Sequence, residues 1–402
     1  MEDERLLKGK TDCIYEREGE CYEFSATVLS CKESLEYKGQ YEIILDRTAF
    51  FPEGGGQPSD AGKLEGTNLT DVKKVNGEII HFLPVALSEG KEVFGCVDRA
   101  VRYPRMQAHM AEHLLCGIIH KQFGYDNVGF HLDTENYVTM DVDGPLTVEQ
   151  IKDVERKANE AILSSIKIHP EFPDVKELEK IPFRSKLELA DGIRLVYIDG
   201  YDVCACCAPT LSNTSQIGLV KVIDSMTHRG GMRLTIIAGI KAIEDYTKLD
   251  ETNRNIMKQL SSKRWEGDVA VSKLSDKLNT DIKVINDLKR QITSFYLEKL
   301  SKVIGENVEG NVIYFETENL DEVQIRSLLN ESVDKIDGIL GIINSSEKGR
   351  NFIFASSDET KYPLRSFIKG FNEANASRGG GSDKMVQGSI PHNGEINKIY
   401  TI

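Results

Sequence analysis

Long apolar runs and aromatic residues are scarce in this sequence. Of its 402 residues, 7% are aromatic and one is tryptophan. No apolar run approaches the roughly 18 residues of a membrane span, and the first ten residues, MEDERLLKGK, do not contain the apolar segment of a signal peptide. The sequence therefore predicts a cytoplasmic protein with no membrane partner.

Positive charge is also in short supply. The chain carries 50 lysines and arginines against 64 aspartates and glutamates, a formal net charge of −14 at pH 7. This balance excludes a surface that is basic throughout, of the kind that binds nucleic acid by charge alone. Any contact with RNA must come from a local basic stripe.

Cysteine is sparse and unevenly spread. Five of the 8 cysteines are scattered over the first 116 residues, which is not the spacing of a disulfide framework in a chain this long. The other three lie together in Cys204-Ala205-Cys206-Cys207. In a reducing compartment such a cluster indicates metal binding or redox chemistry.

The sequence does contain a pair of histidines at helical spacing. His109 and His113 stand just before the apolar run 114–119, and at this spacing both imidazoles project from one face of a helix. Two imidazoles and a thiolate from the cysteine cluster form a divalent-metal site, most simply for zinc. Three protein ligands and one open position would be typical of a catalytic site.

The same helix also fits the H-x-x-E-H pattern of zinc peptidases. There Glu112 would be the general base and a distant carboxylate the third ligand. The pattern is short, and two histidines on an amphipathic helix are equally compatible with a structural role. The cysteine cluster favours the metal site.

A glycine-rich loop is the second motif. Gly54, Gly55 and Gly56 are followed by Gln57 and preceded by Thr48. Consecutive glycines permit backbone conformations and close approaches that side chains forbid. The loop does not have the Lys-Ser/Thr of a phosphate-binding loop, so phosphate binding is a poor interpretation. A plain hairpin loop and a ligand-binding surface both remain open.

The order of element patterns predicts an α+β fold in four parts. We expect a small β-barrel with the glycine loop over 1–100, a mixed metal-binding core over 101–242, a helical linker or coiled coil over 243–305, and an α/β domain over 306–402. The predicted helices include 104–123, 147–166, 321–330 and 363–375. The predicted strands include 22–29, 41–45, 137–142, 193–198, 218–224, 232–238, 311–315 and 351–355.

An apolar stripe runs along the predicted linker helix. Its members are Leu274, Leu278, Ile282, Ile285, Leu288, Ile292 and Phe295. This spacing predicts either a homodimer through the C-terminal half or a helical hairpin packed on its own neighbours. Basic residues on the same helix form either a stripe for RNA or a solvated face. They are Lys273, Lys277, Lys283, Lys289, Arg290 and Lys299.

Taken together, these motifs resemble the editing domain of alanyl-tRNA synthetase and, more closely, its free-standing AlaX-type relatives. The resemblance rests on 46–62, the His109 and His113 pair, 127–132, 206–218 and 229–234. The stretch 378–388, RGGGSDKMVQG, resembles the glycine-rich signature of the DHH-associated domain found in long AlaX proteins. The resemblance covers essentially the whole chain in the family's order.

The resemblance implies a zinc site formed by His109, His113 and Cys206. The second histidine of the family's C-x-x-x-H pattern falls on Thr210, whose hydroxyl is a poor zinc ligand. Three outcomes are open. Zinc keeps three protein ligands and a water, Cys204 or Cys207 takes the fourth place, or the site stays empty.

The resemblance also implies a function, which is ATP-independent hydrolysis of mischarged Ser- or Gly-tRNA for alanine, in trans. Gln57 and Thr48 are the expected catalytic residues, with Thr48 placed to bind a serine hydroxyl. The expected substrate-binding residues are Gly54, Gly55, Gly56, Gly129 and His131. The alternatives are a zinc peptidase and a non-catalytic relative that binds tRNA.

Overall fold

The computed structural model describes residues 11–185, 193–306, 310–347, 349–391 and 396–400. These residues form a mixed α+β protein with 7 α-helices and 21 strands, which confirms the predicted class. The chain divides into two compact units, Met1–Asn255 and Ile256–Ile402. Within the described ranges, no helix has both the length and the apolar character needed to cross a bilayer.

The first unit begins with a seven-stranded antiparallel sheet. Its strands are β2 (Glu23–Glu33), β3 (Tyr41–Leu45), β5 (Gly62–Leu64), β6 (Thr67–Asn68), β7 (Asp71–Val75), β8 (Glu78–Leu83) and β9 (Glu92–Val97). Their spatial order is β6-β5-β9-β2-β3-β8-β7, so β6 and β7 are the two edges and the described strands form a half-barrel. A short parallel pair, β1 (Asp12–Cys13) and β4 (Arg47–Thr48), lies beside it. The prediction that this part of the chain is rich in β-strands is thus confirmed, and its described strands form an open sheet and not a closed barrel.

Alternating burial explains how these strands pack. Along β2, Phe24, Ala26 and Val28 are buried while Glu23, Ser25 and Leu29 point outward or lie at the edge of the core. Successive side chains of a strand face opposite sides of a sheet, so this period of two gives one apolar face. That face joins Ile43 and Leu45 in the core of the half-barrel.

A histidine is enclosed in this core. His81 on β8 is fully buried, and its Nδ1 lies 3.1 Å from the carbonyl oxygen of Ile43, which can only accept. Nδ1 therefore carries the proton, and Nε2 accepts from the Thr48 hydroxyl at 2.8 Å. Thr48 also accepts from the Phe50 N–H at 3.1 Å. Burial lowers the pKa of His81 to about 4, so the ring is neutral at pH 7.

The rest of the first unit packs helices against a second sheet. That sheet has the antiparallel order β10 (Asn127–Leu132), β11 (Val138–Val142), β16 (Gly231–Ala238) and β15 (Val220–His228). The helices are α1 (Arg99–Phe123), α2 (Val148–Leu163) and the short α3 (Val175–Leu178). A third sheet consists of β12 (Ile168–Glu171), β13 (Leu195–Ile198) and β14 (Asp202–Ala205).

The helix boundaries follow their capping residues. A capping box begins α2, since the Thr147 side chain accepts from the Gln150 N–H and the Gln150 side chain accepts from the Thr147 N–H. Helix α1 begins at Arg99, five residues before the predicted start at 104. Asp98 caps it by accepting from the Ala100 N–H. Pro104 therefore lies inside the helix, where it cannot donate a backbone hydrogen bond.

A buried ion pair joins α1 to the half-barrel. Arg102 on α1 and Asp60 after the glycine loop are both inaccessible to solvent and form a hydrogen-bonded ion pair. Arg102 also donates to the carbonyl oxygens of Gly19, Cys21 and Ala49, so its guanidinium is solvated by protein groups. Removing either charge would leave the other buried alone, at a cost of about 3–5 kcal/mol.

The C-terminal part of the chain starts with two long helices. Helix α4 (Gly239–Leu260) runs from the first unit into the second, and α5 (Gly267–Glu306) belongs to the second. Residues 261–266 separate the two helices. The apolar stripe from Leu274 to Phe295 is exposed on α5. Lys289 is paired with Asp321 at 2.8 Å.

The second unit ends in a five-stranded sheet with a helix on each face. The elements are β17 (Val312–Glu318), α6 (Glu322–Ser332), β18 (Ile339–Ser346), β19 (Gly349–Ser356), α7 (Leu364–Asn375), β20 (Arg378–Gly381) and β21 (Met385–Ile390), in the sheet order β17-β18-β19-β21-β20. Strands β17 and β18 are parallel and the others antiparallel. In the glycine-rich signature, a Cβ at Gly379 or at Gly388 would lie 2.5 Å from the Phe352 ring. These glycines therefore let two strands lie against that ring.

The buried His81 predicts a specific dependence of stability on pH. The folded pKa is about 4 and an unfolded histidine has a pKa of about 6.5. The unfolded state therefore binds more protons between these values. The contribution of His81 to the free energy of unfolding is complete above about pH 6.5. It is lost as the pH falls to about 4, and the loss is about 3 kcal/mol.

Urea unfolding followed by circular dichroism at about pH 7.5 and about pH 4 measures this loss. Other groups also titrate in this range, so the readout is the difference between the wild type and His81→Gln, which cannot titrate. Between the two pH values, the free energy of unfolding of the variant should fall by about 3 kcal/mol less than that of the wild type. Equal losses in both proteins would contradict the assignment.

Candidate functional site

The two predicted metal-binding histidines lie side by side on α1. His109 and His113 are 4% and 3% exposed, and their rings stack with centroids 5.1 Å apart. The Nδ1 of His109 donates to Oε1 of Gln57 at 2.8 Å, and the Nδ1 of His113 donates to Oδ2 of Asp202 at 3.2 Å. Both rings thus have Nδ1 engaged, which leaves Nε2 available as a metal ligand.

Cys206 joins the histidines as predicted. Its Sγ lies 3.6 Å from Nε2 of His109, and the ligand atoms of His109, His113 and Cys206 all lie within 4.8 Å of one another. Burial would raise the pKa of the Cys206 thiol, but the adjacent His109 and His113 lower it well below its usual range. Two imidazoles with free Nε2 atoms and a thiolate are a donor set that fits zinc.

Groups around the histidines hold them in place. Asp202 accepts two hydrogen bonds from Arg184, both at 2.7 Å, in addition to the one from His113. Burial would raise the pKa of the Asp202 carboxyl, yet Arg184 and His113 lower it. Asp202 is therefore an ionised acceptor that fixes the tautomer and orientation of His113, as carboxylates do behind metal-bound histidines.

The glycine loop lies next to this cluster. Gly54 and Gln57 form an isolated antiparallel bridge, and the carbonyl oxygen of Gly56 accepts from the Leu132 N–H of β10 at 2.9 Å. Phe130, also on β10, stacks on His109 with centroids 4.7 Å apart. The loop also approaches the cysteine cluster, because Cβ atoms placed on Gly54 and Gly55 would lie 4.0 and 3.9 Å from Sγ of Cys207.

Several hydrogen-bond donors at the loop are available. The Nε2 of Gln57 is buried and has no hydrogen-bond partner within the described ranges. The amide N–H groups of the exposed Gly55 and Gly56 likewise have no protein acceptor among those residues. Such N–H groups can bind a carbonyl oxygen or an oxyanion of a ligand.

Thr210, the residue at the expected second histidine of C-x-x-x-H, is engaged elsewhere. Its hydroxyl accepts from Nη2 of Arg194 at 3.2 Å. Arg194 is 6% exposed, and it also donates to the carbonyl oxygens of Cys206, Ala208 and Glu16. This guanidinium fixes the backbone of the loop that carries Cys206.

Glu112 does not face the metal cluster. Its carboxylate accepts from Nδ2 of Asn127 and from Sγ of Cys116, and it is 5% exposed. Asn127 in turn accepts from the Gly129 N–H at 3.1 Å. Glu112 therefore connects α1 to the start of β10. That position argues against a peptidase in which Glu112 activates a metal-bound water.

Three other predicted residues have the following surroundings. Thr48 pairs with His81 in the core of the half-barrel. A Cβ on Gly129 would lie 2.5 Å from a carboxylate oxygen of Asp141, so this position requires glycine. His131 is exposed, and strand alternation places it on the face of β10 opposite to Phe130. The functional roles of all three stay predictions.

The sequence reasoning missed Asp202, Arg184 and Phe130 as parts of the site. Asp202 could have been found, because Asp202, Cys204 and Cys206 are spaced by two residues and so lie on one side of an extended chain. Arg184 carried no comparable signal, since it reaches Asp202 from a segment outside β14.

Comparison with known proteins supports the relationship that the motifs predicted. Residues 6–101 match the family model "tRNA synthetases class II (A)", and residues 193–236 match "Threonyl and Alanyl tRNA synthetase second additional domain". The chain is 25% identical over 398 residues to the alanyl-tRNA editing protein AlaX-L of Pyrococcus horikoshii, covering 94% of each chain. The resemblance to AlaX-type proteins is thereby confirmed.

Alanine–tRNA ligases match over part of their length. The ligase of Ignicoccus hospitalis is 31% identical over 296 residues, which is 70% of this chain and 32% of the ligase. The chain thus spans about a third of that relative. The crystal structure of the C-Ala domain from Aquifex aeolicus alanyl-tRNA synthetase matches 21% of this chain and 82% of that one, at 18% identity and a TM-score of 0.20.

The close contact between Gly56 and Phe130 predicts a sensitive position. A Cβ on Gly56, where φ is +85°, would lie 2.7 Å from the carbonyl oxygen of Phe130 and 2.8 Å from its ring. Gly56→Ala should therefore displace Phe130 from His109 and lower the activity of the site about a hundredfold. Steady-state kinetics, with the mischarged tRNA that the family resemblance implies as the substrate, measure this change in hydrolysis rate.

Gly370→Ala, outside the site, is the control. A Cβ there meets its nearest neighbour, the Ile399 side chain, at an ordinary 3.7 Å, so activity should stay near that of the wild type. Equal activities of the two variants would show that contact with Phe130 does not matter.

Proposed function

We propose that this protein, as a relative of an alanyl-tRNA editing protein over 94% of its length, hydrolyses mischarged aminoacyl-tRNA in trans. The substrate would be Ser- or Gly-tRNA for alanine, and the bond cleaved would be the ester between the amino acid and the terminal adenosine. The reaction needs water but no ATP, because hydrolysis of an aminoacyl ester requires no activation.

The observation that carries this proposal is the meeting of two motifs from distant parts of the sequence. The zinc-type donor set of His109, His113 and Cys206 is joined to the glycine loop through Gln57, which accepts from His109. The available N–H groups of the loop therefore lie beside the donor set. An aminoacyl ester offers a carbonyl oxygen, which suits these N–H donors.

The reacting carbonyl would face the loop in the proposed mechanism. When water attacks the ester, negative charge develops on the carbonyl oxygen. The amide N–H groups of the exposed Gly55 and Gly56 could donate to that oxygen, and the buried Nε2 of Gln57 could join them once the loop moves to uncover it. The backbone carries these donors, so the absence of side chains at the loop keeps the approach open.

Zinc would be held by Nε2 of His109, Nε2 of His113 and Sγ of Cys206. When bound, zinc supplies positive charge that can orient the substrate or acidify a water. Gln57 and Asp202 fix the two imidazoles in the tautomer that this binding needs. The chain's other contribution is exclusion of water by Phe130, which covers one face of His109.

Thr48, Gly129 and His131 keep their proposed roles toward the substrate. The Thr48 hydroxyl donates to His81 and accepts from the Phe50 N–H, and Thr48 is fully buried, so a serine hydroxyl would reach its remaining lone pair only after the chain around it moves aside. A site that pairs with the hydroxyl would favour serine over alanine. Gly129 and His131 belong to β10, the strand that presents Phe130.

The partners proposed for the C-terminal half are tRNA and a second copy of the chain. The stripe from Leu274 to Phe295 is apolar and exposed, and a helix rarely leaves such a face in water. A dimer through α5 would cover it. The predicted four-part division of the chain and a coiled coil over 243–305 are part of the same proposal.

Loss of one histidine tests the proposed function. His113→Ala should reduce bound zinc from about one per chain to near zero and slow deacylation of Ser-tRNA for alanine. His120→Ala is the control on the same helix, because His120 is half-exposed and pairs with Asp126. Zinc content is measured by elemental analysis and deacylation by release of labelled serine.

Retention of zinc and activity in His113→Ala would contradict the shared site. A wild-type protein that binds tRNA but releases no serine would instead favour a non-catalytic tRNA-binding relative.

Charges placed on the apolar stripe test the proposed dimer. Leu278→Glu with Ile285→Glu should convert the dimer to a monomer, because burying unpaired carboxylates costs several kcal/mol. Light scattering measures the mass. Asn279→Glu with Ser294→Glu adds the same charge at exposed positions off the stripe and should leave the dimer intact. A monomeric wild type would refute the proposal.

A further inference from the structure

We propose that Cys204 is a fourth protein ligand of the candidate zinc site, so that the full set is His109, His113, Cys204 and Cys206. This inference rests on the zinc site of the proposed function and extends it. It concerns the position that Thr210 leaves without an imidazole.

Cys204 and Cys206 reach the same histidine. The ligand atoms of His113, Asp202 and Cys204 lie within 4.8 Å of one another, as do those of His109, His113 and Cys206. The two groups share His113. Cys204 belongs to β14 and Cys206 follows two residues later, so both thiols lie on the side of the chain that faces α1.

The competing donors near the site are already committed or turned elsewhere. Asp202 gives one carboxylate oxygen to Nε of Arg184 and the other to both Nη2 of Arg184 and His113. The Thr210 hydroxyl accepts from Arg194. Cys207 is exposed and lies beside the backbone of Gly54 and Gly55. Among the described residues, Cys204 is the soft donor that remains.

Ligation requires the Cys204 side chain to turn. The Cys204 thiol lies 3.6 Å from the carbonyl oxygen of Ala205, and it belongs to the triad with Asp202 rather than to the one with His109. To bind, the thiol must turn from that carbonyl toward Cys206. A thiol is a weak hydrogen-bond donor, so little is lost when that contact breaks.

Four protein ligands would leave no open position on a tetrahedral zinc. Closed Cys2His2 sites are typical of zinc that holds structure, and open sites with three protein ligands are typical of zinc that activates water. In this protein the zinc would then secure the loop that carries Cys206 and Cys207. Stabilisation of the reacting ester would fall to Gln57 and the glycine amides.

Replacing zinc by cobalt(II) in the full-length protein allows the number of bound thiolates to be measured by absorbance. The near-ultraviolet charge-transfer absorbance of cobalt scales with the number of bound thiolates. Cys204→Ala and Cys206→Ala should each lower it to about half of the wild-type value, since one of two thiolates remains. Cys207→Ala is the matched control and should leave it unchanged. An unchanged absorbance in Cys204→Ala, or a loss in Cys207→Ala, overturns the assignment.

A measurement on the wild type keeps the test independent of how the variants fold. The protein is alkylated with iodoacetamide with and without zinc, and each cysteine is followed by mass spectrometry. Zinc should protect Cys204 and Cys206 while Cys207 stays reactive. Equal alkylation of Cys204 in both conditions overturns the proposal.

Deacylation of Ser-tRNA is assayed separately on the same preparation. Activity without protection of Cys204 sinks the ligand assignment alone, and protection without activity sinks the proposed hydrolase alone.

Discussion

Two hydrogen bonds to ring nitrogens set the geometry on which the candidate site depends. Gln57 holds Nδ1 of His109 at 2.8 Å and Asp202 holds Nδ1 of His113 at 3.2 Å. Gln57 comes from the half-barrel and Asp202 from β14, so α1 is fixed between two sheets at the two positions where its side chains must be oriented. The buried pair of Arg102 and Asp60 reinforces the first of these junctions. A donor set prepared in this way pays little conformational entropy when a ligand binds.

The sequence was sufficient for features whose signal is local. Spacing by four placed His109 and His113 on one helix face, and the predicted helix over 147–166 starts within one residue of α2. Cys206 lies 97 residues after His109 in the sequence. Its assignment to the same site came from the family resemblance and not from spacing. Arg184 and Phe130 were out of reach, because nothing in their own neighbourhoods indicates Asp202 or His109 as a partner.

Features that depend on long-range pairing were predicted less completely. A run of short strands predicted a barrel, yet closure depends on whether the edges β6 and β7 pair, and in the described strands they do not. The start of α1 was predicted five residues late, at 104, whereas the cap at Asp98 starts the helix at Arg99. The glycine-rich signature near Gly379 is explained by the Phe352 ring, a contact that a linear motif does not display.

The hydrogen bonds of Arg194 have a consequence for when the site can form during synthesis of the chain. Its guanidinium donates to the carbonyl oxygens of Glu16, Cys206 and Ala208. Glu16 lies 178 residues before Arg194 in the sequence, and Cys206 lies 12 residues after it. A ribosome makes residue 16 long before residue 206. The metal-binding loop can therefore take its final form only after the chain has emerged as far as Ala208, and a shorter growing chain has no complete site with which to capture a metal ion.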